Sequence, residues 1–88
     1  MVEREVQIEN KLGLHARPAA EVVKTAAKFQ SDITICRDDL EVNGKSIMGV
    51  MMLAAEHGSR ITLRADGPDE LQAVDALSEL IASKFRES

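Results

Sequence analysis

The sequence predicts an α+β fold, an open-faced β-sandwich in which a four-stranded, mainly antiparallel sheet carries three helices on one face, in the order βαββαβα. Three observations lead there. Four short segments alternate apolar and polar residues, three others repeat apolar residues at helical spacing, and turn-forming residues separate them. Each alternating segment has one apolar and one polar face, so only one side of the sheet needs a cover.

The first segment, "MVEREVQI", sets Val2, Val6 and Ile8 against Glu3, Glu5, Gln7 and Glu9, with Arg4 as a breach in the apolar face. Asn10 to Gly13 breaks it. From Ala16 to about Lys28 the period changes, and Ala19, Val22, Val23 and Ala26 mark the inner face of a first helix. "DITICR" (32–37) places Ile33 and Ile35 opposite Thr34 and Cys36. Asp38-Asp39 turns the chain, and "LEVN" returns as a hairpin strand with Leu40 and Val42 inward.

"SIMGVMMLAAEHG" reads as a short helix. Ser46 is its N-cap, Ile47, Val50, Met51 and Ala54 form its apolar stripe, and His57-Gly58 is its exit. "RITLRAD" (60–66) alternates again, with Ile61, Leu63 and Ala65 inward. Gly67-Pro68 precedes a last helix striped by Leu71, Val74, Leu77, Ile81 and Phe85.

Composition narrows the function. Eighty-eight residues make one domain, residues 1–88, with a core of small aliphatic side chains, since there are two Phe and no Trp or Tyr. Eleven basic against fifteen acidic residues give a net charge of −4 without a basic stripe, which argues against nucleic acid as a partner. The near absence of aromatic residues removes a stacking platform for single strands. A lone cysteine, Cys36, has no internal disulfide partner, and the N-terminus is unlike a signal peptide. With no apolar run of membrane-spanning length, the expectation is a cytoplasmic protein without direct membrane insertion.

The stretch "GLHARPAA" (13–20) carries the most chemistry. A histidine at a helix N-terminus can be a plain cap. Its neighbours suggest more. With His15 at the N-cap, Ala16, Arg17 and Pro18 fill the first turn, where backbone N–H groups have no helical acceptor. Pro18 has no N–H to leave idle, and its fixed φ stiffens the frame. The free N–H groups and the positive helix end form an anion cradle, to which Arg17 adds a guanidinium fork. The same field favours a neutral, nucleophilic imidazole. A histidine so placed can accept a phosphoryl group.

Other motifs carry less chemistry. "NGKS" (43–46) resembles the end of a nucleotide-binding loop, but the required earlier glycine is Asp39 and the preceding segment is a hairpin, so ATP binding there is rejected. As an N-cap alone Ser46 contributes about 1 kcal/mol over alanine, which accounts for it without any function. Phosphorylated, it would place negative charge at a helix N-terminus, where the fold tolerates it and an acidic partner would not. Met48 and Met52 lie off the stripe, where they serve either as core filler or as an adaptable docking surface. Cys36, His57 and His15 lie on different elements without ligand spacing, so no metal is expected.

Taken together, "GLHARPAA" and "KSIMGVM" (45–51), about thirty positions apart, resemble the active-site and regulatory-serine segments of the HPr family of bacterial phosphotransferase carriers. The resemblance covers essentially the whole chain, and the family's βαββαβα order is the one read from the periodicity. It implies that His15 accepts a phosphoryl group from phospho-enzyme I, itself charged by phosphoenolpyruvate, and passes it to a IIA protein or domain. Arg17 would bind the phosphate. Ser46 would be the target of an ATP-dependent HPr kinase/phosphorylase, which hinders transfer and in some bacteria enables binding to a transcriptional regulator. Ala16, Ala20, Ile47, Met48 and Met51 would form the partner-docking patch. Such a carrier is a relay and not a stand-alone enzyme, and no cofactor is expected.

"NKLGLHARP" and "ADGPDELQAV" also resemble the nitrogen-related branch, whose IIA partner is regulatory and moves no sugar. "KSIMGVM" resembles carriers regulated at the serine, although Gly44 and Met52 depart from the family forms around it. The serine-only paralogues lack the histidine that this chain has. A binding module acting through Ser46, with His15 as a plain cap, is the alternative of a different class.

Overall fold

Seven elements follow one another in the predicted order: β1 (Val2–Gln7), α1 (Ala16–Ala26), β2 (Asp32–Arg37), β3 (Leu40–Asn43), α2 (Ile47–Met52), β4 (Arg60–Asp66) and α3 (Glu70–Ala82). The computed structural model describes residues 1–83 and residue 85. The strands form one sheet in the order β1-β4-β2-β3, and every pairing is antiparallel. Val6 stands opposite Ile61 and Ile35 opposite Leu63, so the alternating residues of neighbouring strands share one face.

That face is the core. Ile33, Ile35, Ile61, Leu63 and Ala65 meet Ala19, Val22 and Ala26 from α1 and Val74, Leu77 and Ile81 from α3, all buried. Each larger aliphatic side chain among them contributes about 1.5–3 kcal/mol relative to exposure. The opposite face is charged and carries Arg64–Glu3 (2.7 Å) and Arg60–Glu5 (3.1 Å) pairs across β1 and β4. Exposed pairs of this kind contribute about 1 kcal/mol or less.

The breach at Arg4 has a cause. At the edge of the sheet its guanidinium leaves the core side and reaches α3, donating to Asp75 at 2.7 Å and Ser78 at 3.2 Å. The strand therefore keeps its register with a charge on its inner face, because the charge is paired where the helix layer ends.

Several local expectations are corrected. α1 ends at Ala26, and Lys28 and Phe29 continue it only by tighter bonds to Thr25 and Ala26 carbonyls. α2 stops at Met52, long before His57-Gly58: Leu53 and Ala54 donate to Val50 and Met51, and Ala54 turns the chain at φ +48. Arg37 then caps the helix end, its Nη1 donating to the carbonyls of Leu53 (2.9 Å) and Ala54 (3.3 Å). A helix this short buries only Val50. Ile47 and Met51, expected on its core stripe, are 46% and 44% exposed, and Ala54 is exposed too.

Leu40 and Leu71 are exposed as well, at 38% and 53%. Leu40 is the first residue of the edge strand β3, next to the Asp38-Asp39 turn. Leu71 lies about 100° around α3 from the centre of its buried arc, and Ala73 fills the inner position instead. Phe85 falls beyond the helix, at φ +57, yet it is buried against the same core.

Candidate functional site

Chain direction changes sharply between β1 and α1, and that turn builds the site. Ile8 is held at both backbone groups, its N–H donating to Ser59 (2.8 Å) and its carbonyl accepting from Gly58 (2.7 Å). The chain then closes a tight turn in which Gly13 N donates to the Asn10 carbonyl at 3.1 Å. Gly13 adopts φ +66, and a Cβ there would lie 2.4 Å from the Ala55 carbonyl oxygen, so both conformation and space require glycine. Leu14 is buried, and its N–H donates to that same Ala55 oxygen at 2.8 Å. The segment after α2 thus supports the residue next to His15.

His15 is the N-cap of α1, in extended geometry at φ −77 and ψ −174. Its carbonyl accepts the first helical bond, from Ala19 N at 2.9 Å, but its side chain makes no capping bond. The ring is half-buried with Nε2 on the buried side. Ala16 and Arg17 are exposed, and their N–H groups open the helix without intrahelical acceptors. Pro18 is buried and fixes the turn behind them. No acidic side chain occupies the first turn and Lys24 sits in the last, so the positive end of α1 is left uncompensated by its own residues. Arg17 borders a depression of about 330 Å³ along α1, shared with Glu21, Lys28 and Phe85.

A second helix start lies on α2, which packs beside α1. Ser46 caps it in the usual way: its Oγ accepts from Gly49 N at 3.1 Å and its carbonyl accepts from Val50 N at 2.9 Å. The approach is tightly built. A Cβ on Gly44 would stand 2.5 Å from Ile33 Cγ2, while Gly44 N donates to the Ile33 carbonyl at 2.8 Å. Lys45 reaches across to the exit of α1, its Nζ donating to the Phe29 carbonyl at 2.8 Å.

Around these two caps lie the residues read as a docking patch. Ile47, Met48 and Met51 are exposed, Ala16 is exposed and Ala20 half-buried. Met52 and Leu12 are exposed apolar residues as well, at 64% and 73%. Leu12 was missed by sequence reasoning, although an apolar residue inside the polar turn "NKLG" signals it. Asn10 was missed too, because nothing in a single sequence distinguishes a buried turn asparagine from a solvated one.

The remaining candidates stay apart. Cys36 lies on the open face of the sheet, where burial pushes its thiol up against the opposing pull of Arg64, so it is protonated and a weak nucleophile. Among the described residues no group of three or more His, Cys, Asp or Glu could hold a metal ion, and no helix is long and apolar enough to cross a membrane.

A four-stranded antiparallel sheet covered by three helices, with a histidine at the N-cap position of the first helix and a serine at that of the second, defines a small open-faced α+β domain. A family model described as "PTS HPr component phosphorylation site" matches residues 2–83. The phosphocarrier protein HPr of Xylella fastidiosa is 54% identical over 87 residues, covering 99% of this chain and 98% of that one. The HPr-like protein Crh of Halalkalibacterium halodurans is 51% identical over 81 residues, covering 92% and 96%. Among solved structures, HPr-C-His from Thermoanaerobacter tengcongensis superposes with a TM-score of 0.97 at 51% identity, covering 100% of this chain and 99% of that one. The chain belongs to the HPr family, the phosphocarriers of the phosphotransferase system.

Proposed function

We propose that His15 is the residue that carries the phosphoryl group between phospho-enzyme I and a IIA protein or domain. The observation that supports it most is the N-cap imidazole that makes no capping bond while facing an uncompensated helix start. With Nε2 on the buried side, Nδ1 is the nitrogen an incoming phosphorus atom can approach. In the forward step the Nδ1 lone pair attacks the phosphorus held on enzyme I. A new N–P bond forms as the donor N–P bond breaks, and its electron pair returns to the donor imidazole. The second transfer repeats this displacement with His15 as the leaving group.

The helix start stabilises both states. The Ala16 and Arg17 N–H groups and the Arg17 guanidinium meet the phosphoryl oxygens, adding charge-assisted hydrogen bonds as negative charge arrives at the positive end of α1. Pro18 keeps the frame rigid, so little reorganisation accompanies each transfer. Donor and acceptor dock in turn on the apolar surface of Ile47, Met48, Met51, Ala16 and Ala20, in the cytoplasm. Phosphorylation of Ser46 by an HPr kinase/phosphorylase places nearly two negative charges amid that surface, which weakens docking of enzyme I and opens a binding mode for a transcriptional regulator.

The test is direct. Incubation with phosphoenolpyruvate and enzyme I should yield an acid-labile, base-stable phosphate, with ³¹P and ¹⁵N NMR placing it on Nδ1 of His15. Equal labelling of His15→Ala would end this reading. Label on Nε2 would end the assignment of the nitrogen.

A further inference from the structure

We propose that Asn10 is a positioning residue for His15, acting through the peptide group between Gly13 and Leu14. The proposal rests on His15 being the phosphoryl acceptor. Asn10 is 1% exposed, and its Nδ2 donates to the Gly13 carbonyl at 2.7 Å. On the other pole of the same peptide, Leu14 N donates to Ala55 O at 2.8 Å. The plane is therefore held at both ends, by a side chain from the start of the turn and by a carbonyl from the segment after α2. A peptide pinned in this way fixes ψ of Gly13 and φ of Leu14, and with them the direction in which the chain delivers the next residue, His15.

The surrounding contacts leave the turn no easy substitute. Gly13 N closes back on the Asn10 carbonyl at 3.1 Å, so residue 10 meets residue 13 through both backbone and side chain. Gly13 sits at φ +66, a conformation glycine also leaves readily when it is not held. Gly13 is itself buried, so its carbonyl has little access to replacement water once the Asn10 amide is removed. The His15 backbone follows at φ −77 and ψ −174, so the direction in which its ring leaves the chain is set from the plane before it. Loss of the Asn10 donor lets the Gly13–Leu14 plane rotate and moves the ring off the line of transfer.

The experiment uses the full chain with Asn10→Ala and with Asn10→Asp, which keeps the volume and replaces the donor amide. Transfer from phospho-enzyme I is followed as kcat and KM, and the His15 ring is followed by ¹H–¹⁵N NMR in the unphosphorylated protein. Val74→Ala, a core change in α3, serves as the control for lost stability, with every measurement made where all variants are folded. The expected result is a kcat lower by about tenfold to a hundredfold, since small misplacements of a reacting group have effects of that order. KM should stay within about twofold, because the docking surface is untouched, and the His15 ring resonances should shift in both Asn10 variants but not in Val74→Ala. Wild-type kcat in a folded Asn10 variant overturns the proposal, as does an equal loss of kcat in Val74→Ala. The ring resonances need no phosphate, so they report positioning even if labelling experiments place the acceptor elsewhere.

Discussion

Two neighbouring helices begin in opposite ways. At the start of α2, Ser46 spends its hydroxyl on Gly49 N and is satisfied as a cap. At the start of α1, His15 holds the same backbone position but makes no capping bond with its side chain. α1 is also the longer helix, eleven residues against six, so the larger field stands behind the residue that does not cap. The difference separates a side chain that closes its own helix start from one that leaves the start of α1 uncapped. α3 sharpens the lesson. Asp69, its N-cap, makes no side-chain capping bond either, but its carboxylate accepts from Gln30 N, Ser31 N and Ser31 Oγ and so ties α3 to the turn after α1. A side chain withheld from capping its own helix is therefore read together with what it does elsewhere.

The comparison can be broken in several places. The largest expected effect is at Gly13→Ala, which adds a Cβ 2.4 Å from Ala55 O at a positive φ. Left-handed strain and overlap together should cost about 2–4 kcal/mol, read by chemical denaturation, and phosphotransfer should fall with it. Next comes the pair of caps. Ser46→Ala should cost about 1 kcal/mol with transfer from enzyme I retained. His15→Ala should change stability by less than about 0.5 kcal/mol while removing the label. Equal costs at the two caps would erase the distinction drawn here.

Acid probes the third cap. Hydrogen bonds, first from Ser31 Oγ and then from Gln30 N, hold the Asp69 carboxyl below its ordinary value. Its contribution is therefore complete above the unfolded aspartate value of about 3.9 and is lost as pH falls through the lowered folded one. Asp69→Asn should flatten the acid limb of thermal stability against pH without altering the fold. A limb of unchanged slope would show that other carboxylates set it. The smallest effect is expected at Ala54→Gly. Relief of φ +48 is partly offset by the greater freedom of glycine in the unfolded chain, leaving a gain below about 1 kcal/mol in denaturation midpoint.

Much of this was legible in the sequence, and what was not has physical reasons. Alternation located β2, β3 and β4 residue for residue, because turns with Asp38-Asp39 and Gly67-Pro68 bound them sharply. Spacing alone makes α2 too long, because its termination depends on Arg37, sixteen or more positions away, and on an alanine in a conformation favoured by glycine. Ile47 and Met51 match a core stripe by spacing alone. Only the shortness of the helix exposes them. The same blindness to long-range partners hid Asn10, whose importance lies in a peptide plane held jointly with Ala55.

The central claim is that His15, the N-cap of α1, is the phosphoryl acceptor. Its most direct test is labelling of wild type, His15→Ala and Ser46→Ala with radiolabelled phosphoenolpyruvate and enzyme I, scored for acid-labile phosphate. Label on wild type and Ser46→Ala but none on His15→Ala is the predicted result. Acid-labile label that persists on His15→Ala would contradict it.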